Sequence, residues 1–293
     1  MKQKFFWSFI ALFILSWNGY AAPGKPDLPE VDFGSVQASE PVHRIIRSCS
    51  VPVKIAKPAG VAVAFPGLVN YQNNGRIPLE RLSLIINSKV TIMTASLLSI
   101  NFNEEISKQQ IGIKFGLDLE PIDLPGIYQG VIQFRFWGVN QDRIQWSEPI
   151  RLTLTVRVAS WVRLKTDDTY IKFQPDMVRN RKNLKIREPL RIQIAANTDW
   201  RLSISIASAN AQLNGNMPLF FKADDHCKQY QGSGQISITA RDGKKGIASG
   251  PATVSGKNYW CEVPVDVYLG DYPDYPAGFY YFTVNFFSEL FES

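Results

Sequence analysis

Four short motifs occur twice in this chain, in the same order and at an offset of about 140–151 residues. The first set is Phe33, Glu40-Pro41-Val42, Asn74-Gly75-Arg76-Ile77-Pro78-Leu79 and Asp123-Leu124-Pro125-Gly126-Ile127-Tyr128. The second is Phe173, Glu188-Pro189-Leu190, Asn214-Gly215-Asn216-Met217-Pro218-Leu219 and Asp274-Tyr275-Pro276-Ala277-Gly278-Phe279-Tyr280. Four matches in register point to a tandem duplication, so whatever the first half folds into, the second half must approximate. With 293 residues there is room for two domains of about 100–150 residues, each with its own core.

The segments between the motifs are short and alternate. Tyr128, Ile132 and Phe134 alternate with Gln129, Gln133 and Arg135, the period-2 pattern of a strand with one face in a core. Tyr280, Val284 and Phe286 take the equivalent places in the second copy. The Pro-Gly and Pro-Ala-Gly turns before these strands fix one φ and then permit a positive one. Val51 to Ile55, Leu82 to Ile86, Ile111 to Leu119, Leu152 to Val158, Leu190 to Ile194 and Leu202 to Ile206 alternate as well, and no amphipathic helix longer than two turns stands out. The expectation is an all-β chain of two tandem sandwiches, residues 22–160 and 161–293, after a leader at 1–21. The run Arg151 to Val158 has no counterpart in the second copy. Either it is a connector peculiar to the first domain, or the second domain lacks its closing strand and leaves an edge that another chain can pair with.

Met1 to Ala21 reads as a secretory signal. Lys2 and Lys4 precede an apolar run from Phe5 to Trp17, and Gly19 and Ala21 put small residues at −3 and −1 of a cut before Ala22. The alternative is an uncleaved anchor, but the run is shorter than the roughly 20 residues a spanning helix needs. The mature protein is expected in the periplasm, at the cell surface or outside, with no stable membrane insertion. Cysteine usage suits an oxidising space: Cys227 and Cys261 are the natural disulfide, worth about 3–4 kcal/mol on the chain-entropy model, and Cys49 remains as a small buried hydrophobe. The net charge of +6 includes the two leader lysines and is too small to argue for nucleic acid.

Trp200-Arg201-Leu202, Asn214 to Leu219 and Asp274 to Tyr280 resemble the immunoglobulin-like repeats of bacterial secreted and surface proteins, which share a Trp-x-Leu strand, an Ile-Pro-like segment and a final Pro-Ala-Gly-x-Tyr strand. Within that group the chain resembles fimbrial subunits and tip adhesins. The resemblance implies an N-terminal binding domain followed by a pilin-like domain missing one strand. One departure is plain: a shaft subunit carries an N-terminal donor strand of alternating hydrophobics, whereas Ala22 to Val31 is Pro-rich.

Chemistry-bearing groups are sparse. The two histidines, His43 and His226, fall in different halves, and the chain holds no Gly-x-Ser-x-Gly elbow, His-Glu-x-x-His pair or Gly-rich phosphate loop. His43 and Cys49 on one strand would lie about 20 Å apart, too far for a thiol–base pair. Asp224, Asp225, His226 and Cys227, and separately Asp271 and Asp274, gather donors without the spacing of a calcium loop, so no metal and no cofactor is expected. The run Arg179-Asn180-Arg181-Lys182 is the strongest charge feature and suits an acidic glycan or partner; without interleaved aromatics it offers no platform for bases. Tyr272 and Tyr275, in a Pro-flanked turn, are the aromatics expected at the surface, where rings stack on sugars. The expected function is non-catalytic: binding another protein chain through sheet edges and loops, or alternatively binding a surface glycan through Tyr272 and Tyr275.

Overall fold

The structure, a computed structural model, describes residues 29–40, 43–55, 57–86, 89–102, 110–141, 143–166, 184–185, 188–209, 218–224, 230–253, 259–269 and 282–291. The expected leader lies outside the described residues. The strands of the first half are β1 (Glu30–Val36), β2 (His43–Pro52), β3 (Pro58–Ala64), β4 (Leu68–Val69), β5 (Arg76–Ile77), β6 (Leu82–Ile86), β7 (Lys89–Ile92), β8 (Leu97–Asn101), β9 (Gln110–Leu119), β10 (Gly126–Asn140), β11 (Arg143–Trp146) and β12 (Ile150–Val158). Those of the second are β13 (Val162–Thr166), β14 (Leu184–Lys185), β15 (Leu190–Ala196), β16 (Trp200–Ala209), β17 (Leu219–Ala223), β18 (Gln231–Gly232), β19 (Gln235–Ile238), β20 (Lys245–Gly250), β21 (Cys261–Leu269) and β22 (Phe282–Leu290). One turn of 3-10 helix, Leu79–Arg81, is the only helical element among the described residues. The protein is all-β.

Each half encloses one core between two sheets. In the first, β1-β12-β10-β3-β8 packs on β2-β9-β6-β7; in the second, β13-β15-β21-β17-β19 packs on β18-β20-β16-β22. Alternation decides which side chains go inside. Tyr128, Ile132, Phe134 and Phe136 of β10 are wholly buried, as are Ile113, Phe115, Leu117 and Leu119 of β9. Residues between them face solvent or the rim, apart from Gly116, which is covered by Ser83 and Arg44.

The duplication is visible in the pairing. β2-β9-β6 in the first sandwich matches β15-β21-β17 in the second, and the antiparallel pair β3–β10 matches β16–β22. The strand expected from Val51 begins at His43 and ends at Pro52. Its first half lies at a sheet edge, where Arg44, Arg47 and the serines mask the alternation and Ile45 is the one buried residue before Val51.

The two halves differ where Arg151 to Val158 has no second copy. That run is the body of β12, a full member of the first sandwich and no mere connector. It pairs antiparallel with β10 on one side and parallel with β1 on the other, and Leu152, Leu154, Val156 and Val158 point into the core. The N-terminal strand therefore closes its own sandwich.

The turn into β10 carries an immunoglobulin-type signature. Tyr128, near the start of that strand, donates its hydroxyl to the carbonyl of Leu124 at 2.8 Å, the arrangement of a tyrosine corner. Gly126 sits at φ +136° beneath Asn70, where a Cβ would collide with the amide, so the Pro125-Gly126 turn takes the positive φ expected of it. Burial of Tyr128 pushes its hydroxyl up to about 12. Because the folded value lies above the unfolded one, its contribution to stability is fully present below about pH 10 and is lost as pH rises through the folded value. Ultraviolet titration should show Tyr128 ionising after the exposed tyrosines and together with unfolding. Tyr128→Phe, which leaves the Leu124 carbonyl without its donor, should cost about 1–3 kcal/mol in urea unfolding.

Candidate strand-acceptor site

β22 ends its sheet. It pairs antiparallel with β16 from Trp200↔Leu290 to Ala209↔Phe282, and no strand among the described residues pairs with its other side. Side chains of paired residues share a face, so burial can be followed across the sheet. On β16, Trp200, Leu202, Ile204 and Ile206 are buried at 0–4% exposure. One strand further out, Phe282, Val284 and Phe286 are half-buried, and Leu290 is 39% exposed. The inner face of β22 is apolar, packs on the core, and is covered on one flank.

The first sandwich supplies the control. There β10 stands between β3 and β12, with Phe134 opposite both Val63 and Ile150, and Ile132 opposite Leu152. Phe134 and Ile132 are wholly buried. Phe286 and Val284, their equivalents in the repeat, are not. The difference is that, among the described residues, no strand equivalent to β12 pairs with β22.

The mouths of the two sandwiches also differ. In the first, Arg47 of β2 reaches across to β1, donating from Nε to the Asp32 carbonyl at 3.2 Å and from Nη2 to the Phe33 carbonyl at 3.0 Å. A charged side chain thus occupies edge carbonyls that would otherwise invite pairing. In the second, the lips are β13 and β22. Val162 and Leu164 of β13, half-buried, join Phe282, Val284 and Phe286 around the opening. The outer face of β22 is dressed by cations: Lys244 pairs with Glu289 and lies 4.5 Å from the Phe287 ring centroid, and Arg201 lies 4.7 Å from that of Phe291.

The other sequence candidates fare as follows. Tyr272, Tyr275, Arg179, Arg181, Lys182 and Cys227 lie outside the described residues, as do Asp225, His226, Asp271 and Asp274. Cys261 is buried at the start of β21, opposite Ile194. Cys49 is a free thiol, half-buried on β2 against the first core, and burial pushes its pKa up, away from the reactive thiolate. His43 stands six residues away on the same strand, as expected. Among the described residues no cluster of His, Cys, Asp and Glu is arranged to hold a metal ion, and no helix is long and apolar enough to cross a membrane.

Sequence reasoning missed a polar cluster where the two sandwiches meet. Asn197, wholly buried, accepts the Trp161 N–H at 2.8 Å and donates to the carbonyls of Asp123 at 3.2 Å and Ala159 at 3.1 Å. Asp123 in turn accepts from Arg81 at 2.7 Å and from the Glu120 N–H at 2.8 Å, while Arg81 also pairs with Glu120 at 2.6 Å. Burial pushes the Asp123 carboxyl up, and the Glu120 amide and Arg81 pull it back down. The same junction carries Arg163 of β13, which donates to the Ser39 carbonyl at 3.1 Å and faces Glu40 at 3.8 Å. No sequence signal marks Asn197, because its partners come from 36 to 74 residues away.

No protein-family model matches the chain, and no curated protein matches it in sequence. Several solved structures align with it weakly. The complex of a chaperone with the tip adhesion subunit CsuE, from archaic chaperone-usher Csu pili of Acinetobacter baumannii, covers 90% of this chain and 99% of its own at 12% identity and a TM-score of 0.39. CfaE, the adhesive subunit of CFA/I fimbria of enterotoxigenic Escherichia coli, covers 47% of each chain at 15% identity and a TM-score of 0.30. A family 123 glycoside hydrolase from Clostridium perfringens covers 45% of this chain and 23% of its own at 12% identity and 0.28. Scores this low say nothing about what this chain does, whether the neighbour is fimbrial or a hydrolase.

If β22 is uncovered on one flank, truncation there should be milder than in the first sandwich. Phe134→Ala should cost about 3–5 kcal/mol and Phe286→Ala about half as much, read from separate unfolding transitions. Alternate β22 amides should also exchange with deuterium orders of magnitude faster than those of β10. Non-reducing peptide mapping should join Cys227 to Cys261 and leave Cys49 alkylated only after unfolding.

Proposed function

We propose that the second sandwich is a strand acceptor, and that the protein is an exported, non-catalytic subunit of a surface assembly built by strand addition between chains. The observation that carries this reading is the contrast between Val284 and Phe286, half-buried at a sheet edge, and Ile132 and Phe134, sealed by β12. A free edge offers a row of backbone N–H and C=O groups, and an apolar inner face offers pockets for alternate side chains. Together these are what an added strand uses for affinity and specificity. Fimbriae are the class of assembly that the sequence motifs resemble. The expected leader, Met1 to Ala21, would carry the chain to where such assemblies form.

The occupant can be specified from the chain itself. β12 shows what closes this fold: Ile150-Arg151-Leu152-Thr153-Leu154-Thr155-Val156-Arg157-Val158, with Leu152, Leu154, Val156 and Val158 turned inward. Carried over to β22, Leu152 would stand opposite Val284 and Ile150 opposite Phe286. The partner is then an extended segment with branched apolar residues at every second position and polar residues between, antiparallel to β22.

A synthetic peptide of residues 150–158, added to isotopically labelled protein, should move the amide resonances of β22 and β13 and raise the melting temperature of the second sandwich. Val284→Lys should abolish both effects, as should a peptide of the same composition without alternation. Resonances on β22 that stay unmoved, or binding indifferent to Val284→Lys, would overturn the reading.

A further inference from the structure

Beyond Phe134, the last residue it pairs with β12, strand β10 runs on to Asn140 and pairs with β11 instead. Residues that alternate with the buried Phe134 and Phe136 point away from the core, so Arg135, Trp137 and Val139 lie on the outer face of the sheet. Across the hairpin Trp146 stands opposite Trp137 and Ile144 opposite Val139, sharing that face. On the other flank Trp137 stands opposite Gly60 and Arg135 opposite Ala62, with Asn101 and Ser99 beyond them on β8. The Trp137 indole lies over Gly60, where a Cβ would come within 2.6 Å of its Nε1. Two indoles thus stand beside a floor of Gly60, Ala62 and Ser99.

The fold does not require this surface, as the second sandwich shows. Phe286 of β22 answers to Phe134 in the pairing, and Glu289 to Trp137. Glu289 stands opposite Arg201 and pairs with Lys244, as expected of a solvent-facing sheet. In the first sandwich the corresponding face is apolar: Val139 is 55% and Ile144 63% exposed, and both tryptophans are half-buried. Cations frame it. The Arg135 guanidinium lies 5.4 Å from the Trp146 ring centroid and donates from Nε to the Ser147 carbonyl at 3.2 Å, which holds it beside the rings. Arg151, next along the face, donates to Gln133 Oε1 at 3.2 Å. Among the described residues no carboxylate pairs with Arg135 or Arg151, whereas Arg44, Arg81, Arg163 and Arg191 each have one.

We infer that this face binds a carboxylated sugar, a uronic or sialic acid carried on a short oligosaccharide. The hydrogens on the C–H face of a pyranose are electropositive and complement the negative face of an indole. A carboxylate at the edge of the same ring meets Arg135, whose Nη groups have no acceptor among the described residues, in a charge-assisted hydrogen bond. Extended chain from Arg135 to Val139 covers about 13 Å, room for more than one sugar ring. Other occupants fit worse. The hairpin ends in Asn140, Gln141 and Arg143, which a bilayer would have to desolvate. Four apolar side chains fall short of the roughly 800 Å² per partner of a stable protein interface.

The test titrates the whole chain with sialyllactose and a hyaluronan tetrasaccharide as carboxylated probes, and with lactose and chitotetraose as their neutral counterparts. Binding is read from indole N–H resonances. At least one carboxylated probe should move the Trp137 and Trp146 signals saturably, with its neutral counterpart weaker by about tenfold or more. Arg135→Gln, on a part-exposed side chain, should erase that preference and leave thermal unfolding where it was. Trp137→Phe should weaken every probe that binds. Val284→Lys, which removes strand binding in the other sandwich, should leave sugar binding intact, so the two readings fail separately. Indoles that neither carboxylated probe moves, equal affinity for charged and neutral sugars, or binding indifferent to Arg135→Gln would each overturn the inference.

Discussion

A β-strand has two hydrogen-bonding edges and, in a sandwich, one apolar face, and water tolerates the edges far better than the face. β10 has all three covered, by β3, by β12 and by the opposite sheet. β22 has one edge and part of its face uncovered among the described residues. Everything distinctive in the second half follows from that. Burial declines outward from β16, and half-exposed rings sit at Phe282 and Phe286.

The first sandwich shows the same constraint met. Its N-terminal strand lies parallel to β12, and Arg47 stitches the remaining gap by occupying two carbonyls of β1. Among the described residues the two halves thus share one pairing pattern, with β12 beside β10 in the first and no equivalent beside β22 in the second, and they are joined by a buried polar junction. A buried Asn with every amide hydrogen placed is costly to disturb, since each partner left behind loses a hydrogen bond it cannot recover from water. Such a junction sets an orientation. It contributes specificity between the domains where an apolar contact would let them slide.

Much of this was legible in the residues. The alternation of Ile132 and Phe134, and of Val284 and Phe286, named both strands and their inward faces, and the missing counterpart of Arg151 to Val158 posed the right question about an open edge. The answer needed the pairing, because a run of alternating residues reads the same whether it connects domains or closes one. Other features left no trace in one dimension. Arg47 looks like any arginine on an exposed strand, and the start of β1 is masked by the Pro-rich stretch before it. Asn197 follows an ordinary strand, and its partners are remote in sequence. Tyr272, Tyr275 and the Arg179 to Lys182 run stand out by composition alone and lie outside the described residues.

The central claim, that the second sandwich is a complete fold minus one strand, is tested most directly by supplying that strand covalently. Residues 150–158 would be repeated after Ser293 through a flexible linker, and thermal unfolding of the second sandwich compared with and without the addition. If the wall is missing, the added strand should raise the transition by about 10 °C or more and make the chain indifferent to free peptide. An unchanged transition, with the added segment still sensitive to protease, would show that the edge of β22 is closed already.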